Sequence, residues 1–171
     1  MKTNTSKYSV SLLIHDIRSV HNVGSIFRTA DAFGVSKIYI SGVTPAPVDR
    51  FGRARADLAK VALGAEKSVA WESVTGTPSV SEVISFVKKM KKDGVTIIAL
   101  EQDKRSVPYR EAIIKKSYSS NILLIIGNEV DGVNPDLLDV ADIIAEIPMR
   151  GKKESLNVSV AVGVALFGMF D

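Results

Sequence analysis

The sequence contains no cysteine and only two histidines among its 171 residues. Without cysteine the chain has no disulfide, no thiolate metal site and no cysteine nucleophile, a composition that suits a reducing cytoplasm. With only His15 and His21 available, a histidine-based metal site is also poorly supported. We therefore expect a cytoplasmic protein whose chemistry needs no metal.

Long hydrophobic segments are missing as well. The N-terminal MKTNTSKYSV has no apolar run long enough for a signal peptide. The apolar segment at residues 158–170 is shorter than the roughly 20 residues that a membrane-spanning helix needs. Lys and Arg number 22 against 19 acidic residues, and this net charge of +3 permits a nucleic-acid partner without requiring one. The length of 171 residues predicts a single domain. The shortness of the apolar segments predicts no membrane partner.

The sequence motifs of the common α/β enzymes are also absent. No GxGxxG dinucleotide fingerprint and no GxxxxGK[ST] phosphate loop occurs. Neither GxSxG nor HExxH is present. The sequence therefore gives no support to hydride transfer, nucleotide hydrolysis by a phosphate loop, serine hydrolysis or zinc proteolysis.

What the chain does contain is a series of short apolar runs rich in Val and Ile. They cover residues 10–14, 37–40, 95–100, 122–126 and 143–147. Because these runs are nearly continuous, they predict strands of a parallel sheet that is buried on both faces. Helices are predicted between them, at residues 22–34, 79–93 and 134–142 and from about Ser155 onwards. The pattern predicts an open α/β fold, with a mostly parallel sheet and helices on both faces.

In such a sheet, ligands bind beyond the carboxyl ends of the strands. This rule directs attention to the segments that follow Leu100, Ile126 and Ile147. Three segments of the sequence carry the polar residues that are candidates for a functional site, and two of them contain the ends of the strands at Ile126 and Ile147.

The first segment is HDIRSVHNVGSIFRTADAFG. Asn22 is predicted to cap a helix that Gly34 ends, and Gly24 would allow another backbone to approach closely. Arg28 falls on the polar face of this helix. From the helix pattern alone, a solvated Arg28 paired with Asp31 is the favoured interpretation.

The second segment, ILLIIGNEVDGVNPDLLDVAD, places Gly127 and Glu129 at the end of a buried strand. It is compatible with an ordinary turn that carries a solvated Glu129, or with a close approach to a ligand.

The third segment, IPMRGKKESLNVSVAVGVALF, starts its helix near Ser155 and Asn157. Ser155 is sufficient as a helix cap. Asn157 is left without an explanation, since Asn is a mediocre helix former.

Together, and in this order, the three segments resemble the three motifs of the SpoU (TrmH-like) branch of the SPOUT RNA methyltransferases. The motif words are NVGSIFRTADAFG, LLIIGNEVDGV and IPMRGKKESLNVSVAVGVALF. The resemblance implies transfer of a methyl group from S-adenosylmethionine to a ribose 2'-hydroxyl in RNA. It also implies an α/β fold with a deep C-terminal trefoil knot, and a homodimer whose active site lies near the subunit interface.

The resemblance further implies which residues act. The catalytic set is Asn22, Arg28, Glu129, Ser155 and Asn157. The cofactor-binding set is Leu100, Gly127, Ile147, Met149, Ser155 and Leu156. We expect Arg28 to stabilise the developing alkoxide or an adjacent phosphate and to relay the proton. We expect Ser155 and Asn157 to position the reactants, and Glu129 to order the knot rather than act as a base.

Several basic residues are predicted to contact RNA phosphates, in addition to Arg28: Arg50, Arg53, Arg55, Arg150, Lys152 and Lys153. The KKMKK run at residues 88–92 is predicted to be a solvated helix face. The compact chain carries no separate RNA-binding domain, which favours tRNA over rRNA as the substrate. Two alternatives are a knotted RNA-binding or folding factor without methyl transfer, and a different α/β enzyme that uses a nucleotide cofactor.

Overall fold

The structure of the chain, a computed structural model, describes residues 8–74, 79–114 and 119–170. Strands and helices alternate through these ranges. The strands are β1 (Ser9–His15), β2 (Lys37–Ser41), β3 (Trp71–Ser73), β4 (Thr96–Leu100), β5 (Val107–Pro108), β6 (Asn121–Ile126) and β7 (Ile143–Glu146). The helices are α1 (Val20–Phe33), α2 (Ala56–Ala62), α3 (Ala65–Ser68), α4 (Val80–Lys92), α5 (Tyr109–Ile114), α6 (Pro135–Val140) and α7 (Val158–Phe170).

The strands form a single sheet in the order β3-β2-β1-β6-β4-β7-β5, and every neighbouring pair is parallel. The five predicted strands are confirmed, and none of their ends differs from the predicted position by more than one residue. The sequence did not predict β3 and β5, because both are very short edge strands with a single neighbour each. So few residues give no readable alternation.

The sheet is covered on both faces. Leu12, Leu13 and Ile14 follow one another in β1 and all are fully buried, which requires packing on each side of the strand. On one face the core includes Phe27 of α1 and residues of α2, α3 and α7. On the other face, Val83 of α4 packs with residues of α6. This is the continuous burial that the apolar runs predicted.

Helix α1 begins three residues earlier than predicted. Ser19 is its N-cap, since the Ser19 Oγ accepts a hydrogen bond from the Asn22 backbone N at 3.2 Å. The prediction of Asn22 as the cap is therefore wrong, and its side chain is free to bind elsewhere. Gly34 ends the helix in a left-handed conformation, as predicted. The predicted close approach at Gly24 is also present, because a side chain there would overlap Val61 of α2.

Helix α7 begins later than predicted. Its N-cap interaction comes from Asn157, whose Oδ1 accepts hydrogen bonds from the Ser159 backbone N at 2.9 Å and from the Ser159 Oγ at 2.6 Å. Ser155 lies outside the helix, so the prediction that Ser155 caps it is wrong. The cap predicted for α6 is confirmed: the Asn134 Oδ1 accepts from the Asp136 N at 2.9 Å, with Pro135 in the first turn. No helix in the described ranges is long and apolar enough to cross a membrane.

Candidate functional site

The carboxyl ends of β6, β4 and β7 meet at one edge of the sheet, and a cavity of about 550 Å³ lies there. A cavity of this size can hold a ligand as large as a nucleoside derivative. Its walls include every residue predicted to bind the cofactor: Leu100, Gly127, Ile147, Met149, Ser155 and Leu156. They also include four of the five predicted catalytic residues: Asn22, Glu129, Ser155 and Asn157. The structure thus brings these residues together, while their roles stay predictions.

The Glu129 carboxylate ties the turn after β6 to the start of α1. Its Oε1 accepts hydrogen bonds from the Ser19 backbone N at 3.1 Å and from the Asn22 Nδ2 at 3.0 Å. Its Oε2 accepts from the Arg18 backbone N at 3.1 Å. Glu129 is therefore not a solvated turn residue, although its side chain lies at the surface. It holds the segment that leads from β1 into α1.

Asn22 extends this connection to the third motif. The Asn157 Nδ2 donates a hydrogen bond to the Asn22 Oδ1 at 3.1 Å. Asn22 uses its amide N on Glu129 and its amide O on Asn157, so both ends of the group are fixed. We call the chain Glu129–Asn22–Asn157 the amide clasp. It links residues from all three sequence segments along the wall of the cavity.

A tight turn after β6 shapes one wall. The Asn128 Oδ1 accepts hydrogen bonds from the Val130 N at 2.7 Å and the Asp131 N at 3.1 Å, and the Asn128 Nδ2 donates to the Asp16 carbonyl at 2.8 Å. Gly127 lies so close to Gly132 that a side chain on Gly127 would overlap the Gly132 backbone. Sequence reasoning missed Asn128, although an Asn beside a Gly at a strand end is a typical turn signal.

The segment after β4, to which the strand-end rule pointed, forms another wall through two residues that the sequence analysis did not name, Glu101 and Gln102. The Glu101 Oε2 accepts a hydrogen bond from the Val133 N at 2.8 Å. The Gln102 Nε2 donates to the Glu154 carbonyl at 2.6 Å and so joins this segment to the loop before α7. Both side chains line the cavity. Their position directly after a buried strand was the available signal.

Arg28 is the predicted catalytic residue that the structure does not bring to the cavity. It is exposed and is not among the cavity walls. It follows Asn22 by six positions, which is about 9 Å along a helix axis. The pairing with Asp31 expected from the helix pattern is wrong, because Asp31 instead accepts a hydrogen bond from the Ser68 Oγ at 2.5 Å. Among the described residues, no ion-pair partner of Arg28 is found.

The predicted phosphate contacts divide into paired and unpaired residues. Arg53 bonds to Asp49 at 2.7 Å, and Arg55 bonds to Asp57 at 3.0 Å. Four exposed residues have no ion pair within the described ranges: Arg50, Arg150, Lys152 and Lys153. The last three lie in the loop that connects two cavity walls, between β7 and α7.

The lysine run on α4 is solvated, as predicted. Lys88 and Lys92 are exposed, and Lys89 pairs with Asp93 at 2.8 Å. Lys91 pairs with Asp142 at 2.7 Å. The described residues also contain no group of three or more His, Asp or Glu side chains that would hold a metal ion.

The hydrogen bonds of the clasp change the acidity of Glu129. Burial opposes ionisation of the carboxyl group, but the hydrogen bonds from the Asn22 side chain and from the backbone N–H groups of Glu129, Arg18 and Ser19 outweigh it. Together they hold the pKa of Glu129 below its ordinary value. Glu129 is thus ionised at neutral pH and acts as a hydrogen-bond acceptor, which agrees with an ordering role.

Comparison with known proteins places the chain in a family. The sequence model of the SpoU rRNA methylase family matches residues 9–167, so the chain belongs to this family. It is 32% identical over 153 residues to a tRNA (guanosine(18)-2'-O)-methyltransferase of Aquifex aeolicus, covering 89% of this chain and 64% of that protein. It is 31% identical over 163 residues to the 23S rRNA (guanosine-2'-O-)-methyltransferase RlmB of Neisseria meningitidis, covering 95% and 58%. The chain thus spans less than two thirds of the length of these relatives.

Solved structures give the same result. The A. aeolicus TrmH/SpoU tRNA modifying enzyme superimposes with a TM-score of 0.76 at 28% identity, covering 98% of this chain and 77% of that one. An AdoMet-bound rRNA methyltransferase from Sinorhizobium meliloti superimposes with a TM-score of 0.78 at 26% identity, covering 97% and 57%. The resemblance predicted from the three motifs is therefore confirmed, together with the parallel α/β fold.

The two roles of Asn157 can be separated by substitution. Asn157→Ala removes both the cap of α7 and the bond to Asn22, and we expect it to lower the free energy of unfolding by about 1 kcal/mol. Asn157→Ser keeps a capping oxygen but is too short to reach Asn22, so its stability should stay within about 0.5 kcal/mol of the wild type. Urea denaturation measures both. Equal losses in the two variants would contradict the capping role.

The lowered pKa of Glu129 predicts an acid-dependent contribution to stability. As the pH falls below about 4.3, the unfolded chain takes up the Glu129 proton before the folded chain does, so folding stability is lost as pH falls through the folded-state pKa. Glu129→Gln removes this contribution. We expect the variant to lose less stability than the wild type between about pH 6 and pH 3, measured by denaturant titration. Identical pH dependence in both proteins would contradict the clasp geometry.

Proposed function

We propose that the chain transfers a methyl group from S-adenosylmethionine to a ribose 2'-hydroxyl of RNA. The amide clasp carries this proposal, because it unites the three family segments around one cavity. The names of the relatives, which include both tRNA and rRNA 2'-O-methyltransferases, support the same reaction. We favour tRNA as the substrate and the cytoplasm as the location.

The walls of the cavity fit the cofactor. Leu100, Ile147 and Leu156 offer apolar surface for an adenine ring. Gly127 also lines the cavity, and its missing side chain lets the Gly132 backbone pack against it. When bound, S-adenosylmethionine supplies a methyl group that its sulfonium already activates. The chain must then hold the hydroxyl oxygen in line with that methyl group and assist loss of the hydroxyl proton.

The residues of this chain divide that work. The clasp fixes Asn22 and Asn157, and Ser155 lies beside them at the cavity wall. These groups would orient the ribose and the loop before α7. Arg28 would stabilise the developing alkoxide or a neighbouring phosphate and relay the proton. Since Arg28 lies outside the cavity of its own chain, we assign its contribution to a dimer in which a second subunit covers this side of α1.

An apolar groove between α1 and α7 supports the dimer. Phe33 packs edge-on against Phe167 with ring centroids 6.5 Å apart, yet Phe167 remains 59% exposed and Val160 50% exposed. Helix α7 is apolar on all sides, whereas a helix that faces water carries a polar outer stripe. Thr29, next to Arg28, lines the same groove. We propose that a second copy of the chain covers this surface.

The proposed dimer predicts that a charged side chain in the groove lowers the mass of the sedimenting species. Sedimentation at micromolar concentration should give twice 18.4 kDa for the wild type. Phe167→Glu places a charge in the groove and should give the 18.4 kDa species. Leu63→Glu, at an equally exposed position outside the groove, should remain dimeric. An 18.4 kDa wild-type species, or a fully dimeric Phe167→Glu, would contradict the interface.

The proposed activity predicts that Arg28→Ala loses methyl transfer but keeps cofactor binding. We expect methyl transfer to total tRNA to fall by about 100-fold or more, because one preorganised electrostatic group is lost. Binding of S-adenosylhomocysteine, followed by calorimetry, should not change. The control is Lys88→Ala, on the opposite face of the sheet.

The same assay addresses the alternatives. Cofactor binding without RNA-dependent transfer would favour the non-catalytic RNA-binding factor, and absence of cofactor binding would favour another α/β enzyme. Parallel reactions with rRNA would show which RNA is preferred.

We also infer that the C-terminal half of the chain forms a trefoil knot. Strand β6 lies between β1 and β4, whereas β7 lies on the far side of β4, so the connection from β6 to β7 crosses β4. The Gln102–Glu154 and Glu101–Val133 hydrogen bonds hold the segments after β4, β6 and β7 against one another. The crossing over β4 and these contacts between three loops support a knot in which the last segment passes through one of the loops.

Stretching the chain from both ends tests the knot. An unknotted chain of 171 residues extends to at most about 600 Å. We expect a measurably shorter final length, because a tightened knot retains residues. Recovery of the full length by force spectroscopy would contradict the knot. Attaching one handle inside the C-terminal segment, so that α7 is free to withdraw, should restore the expected length.

A further inference from the structure

The loop between β2 and α2 presents an aromatic ring flanked by two arginines. Phe51 is 65% exposed. The guanidinium carbon of Arg50 lies 4.7 Å from the centre of its ring, and that of Arg53 lies 5.0 Å from it. We call residues 49–53 the Phe51 tip. The proposed methyl-transfer chemistry does not use this feature.

The tip has a defined conformation that Asp49 holds. The Asp49 Oδ1 accepts hydrogen bonds from the backbone N of Phe51 at 2.8 Å and of Arg53 at 3.0 Å. The Asp49 Oδ2 accepts from the Arg53 Nε at 2.8 Å. Gly52 adopts a φ of 77°, which favours glycine, and its N donates to the Asp49 carbonyl at 2.9 Å. The ring is therefore held outwards by a closed turn.

The charges of the tip are not equivalent. Arg53 is neutralised by Asp49, and Arg55, just beyond the tip, is neutralised by Asp57. Arg50 has no ion pair within the described ranges. The tip thus offers a largely exposed ring with two guanidinium groups over it, and only that of Arg53 is also held by an ion pair. Arg50 can therefore exchange the ring for a phosphate and leave its part of the ring to a base. This refines the earlier expectation for the three arginines, because Arg50 alone is free to meet a phosphate.

The base of the loop is connected to the cavity through Asp16. The Asp16 Oδ1 accepts a hydrogen bond from the Val43 N at 2.9 Å, at the start of the loop. The Asp16 carbonyl accepts from the Asn128 Nδ2 in the cavity turn. The loop also leaves the same carboxyl edge of the sheet as the cavity segments. Asp16 therefore holds the base of the loop and the cavity turn to each other.

We propose that Phe51 is a stacking platform for an unpaired base of the RNA substrate, with Arg50 contacting a phosphate of the same strand. This inference rests on the proposed function. An exposed aromatic ring beside arginine binds the face of a base whatever its identity, and arginine neutralises the backbone. A base inside an A-form duplex has no free face, so the surface selects single-stranded loops or ends.

Binding to RNA tests the proposal with matched variants of the full chain. For a single-stranded oligonucleotide, Phe51→Leu keeps an apolar side chain but removes the ring, and should weaken binding about tenfold. Phe51→Trp should bind within about threefold of the wild type. Arg50→Gln should lower the slope of log affinity against log salt by about 0.7, whereas Phe51→Leu should leave the slope unchanged. A perfect RNA duplex should not distinguish Phe51→Leu from the wild type.

Several results would overturn the inference. Equal single-strand affinity of Phe51→Leu and wild type would remove the stacking role, as would a wild type that binds no RNA. Conversion of Phe51→Leu to an 18.4 kDa species would assign Phe51 to a contact between subunits instead. S-adenosylhomocysteine binding and methyl transfer by the wild type separate these results from failure of the proposed function. With both intact, only the role of Phe51 is lost.

Discussion

The carboxylate of Glu129 is the group on which the arrangement of the site depends. It receives three hydrogen bonds from the segment that begins α1, and two of the donors are backbone N–H groups that the helix cannot satisfy itself. A charged acceptor at a helix start also meets the favourable end of the helix dipole. Through Asn22, the same network reaches Asn157 and the start of α7. One acidic side chain thus orders two helices that are distant in sequence.

The cavity follows from this connection and from close backbone packing behind it. The segments after β4, β6 and β7 pack closely where Gly127 and Gly132 lack side chains, and the side chains of Glu101 and Gln102 form hydrogen bonds between these segments. The parallel order of the sheet delivers all three segments to one edge. The protein therefore builds its ligand site largely from backbone and amide groups, with apolar side chains at the walls. Such a site suits a cofactor that brings its own reactive group.

The sequence predicted the sheet well because buried parallel strands leave continuous apolar runs. It predicted the site residues only through the three motifs, since hydrogen bonds between residues 107 and 135 positions apart leave no local pattern. The first residues of the helices were predicted least accurately. The sequence pattern predicts Asn22 as the cap of α1 because apolar periodicity becomes clear only at Val23, but Ser19 caps the helix. Asn157, which the sequence pattern leaves unexplained, is the cap of α7, so one side chain both caps the helix and bonds within the site.

Amide hydrogen exchange at Arg18 and Ser19 tests the role of Glu129 most directly. In the wild type both amides donate to the carboxylate, so we expect slow exchange at both positions under native conditions. In Glu129→Ala both should exchange at least about tenfold faster, while amides within β1 keep their rates. Unchanged exchange at Arg18 and Ser19 in the variant would show that Glu129 does not hold this segment, and the account of the site would be wrong.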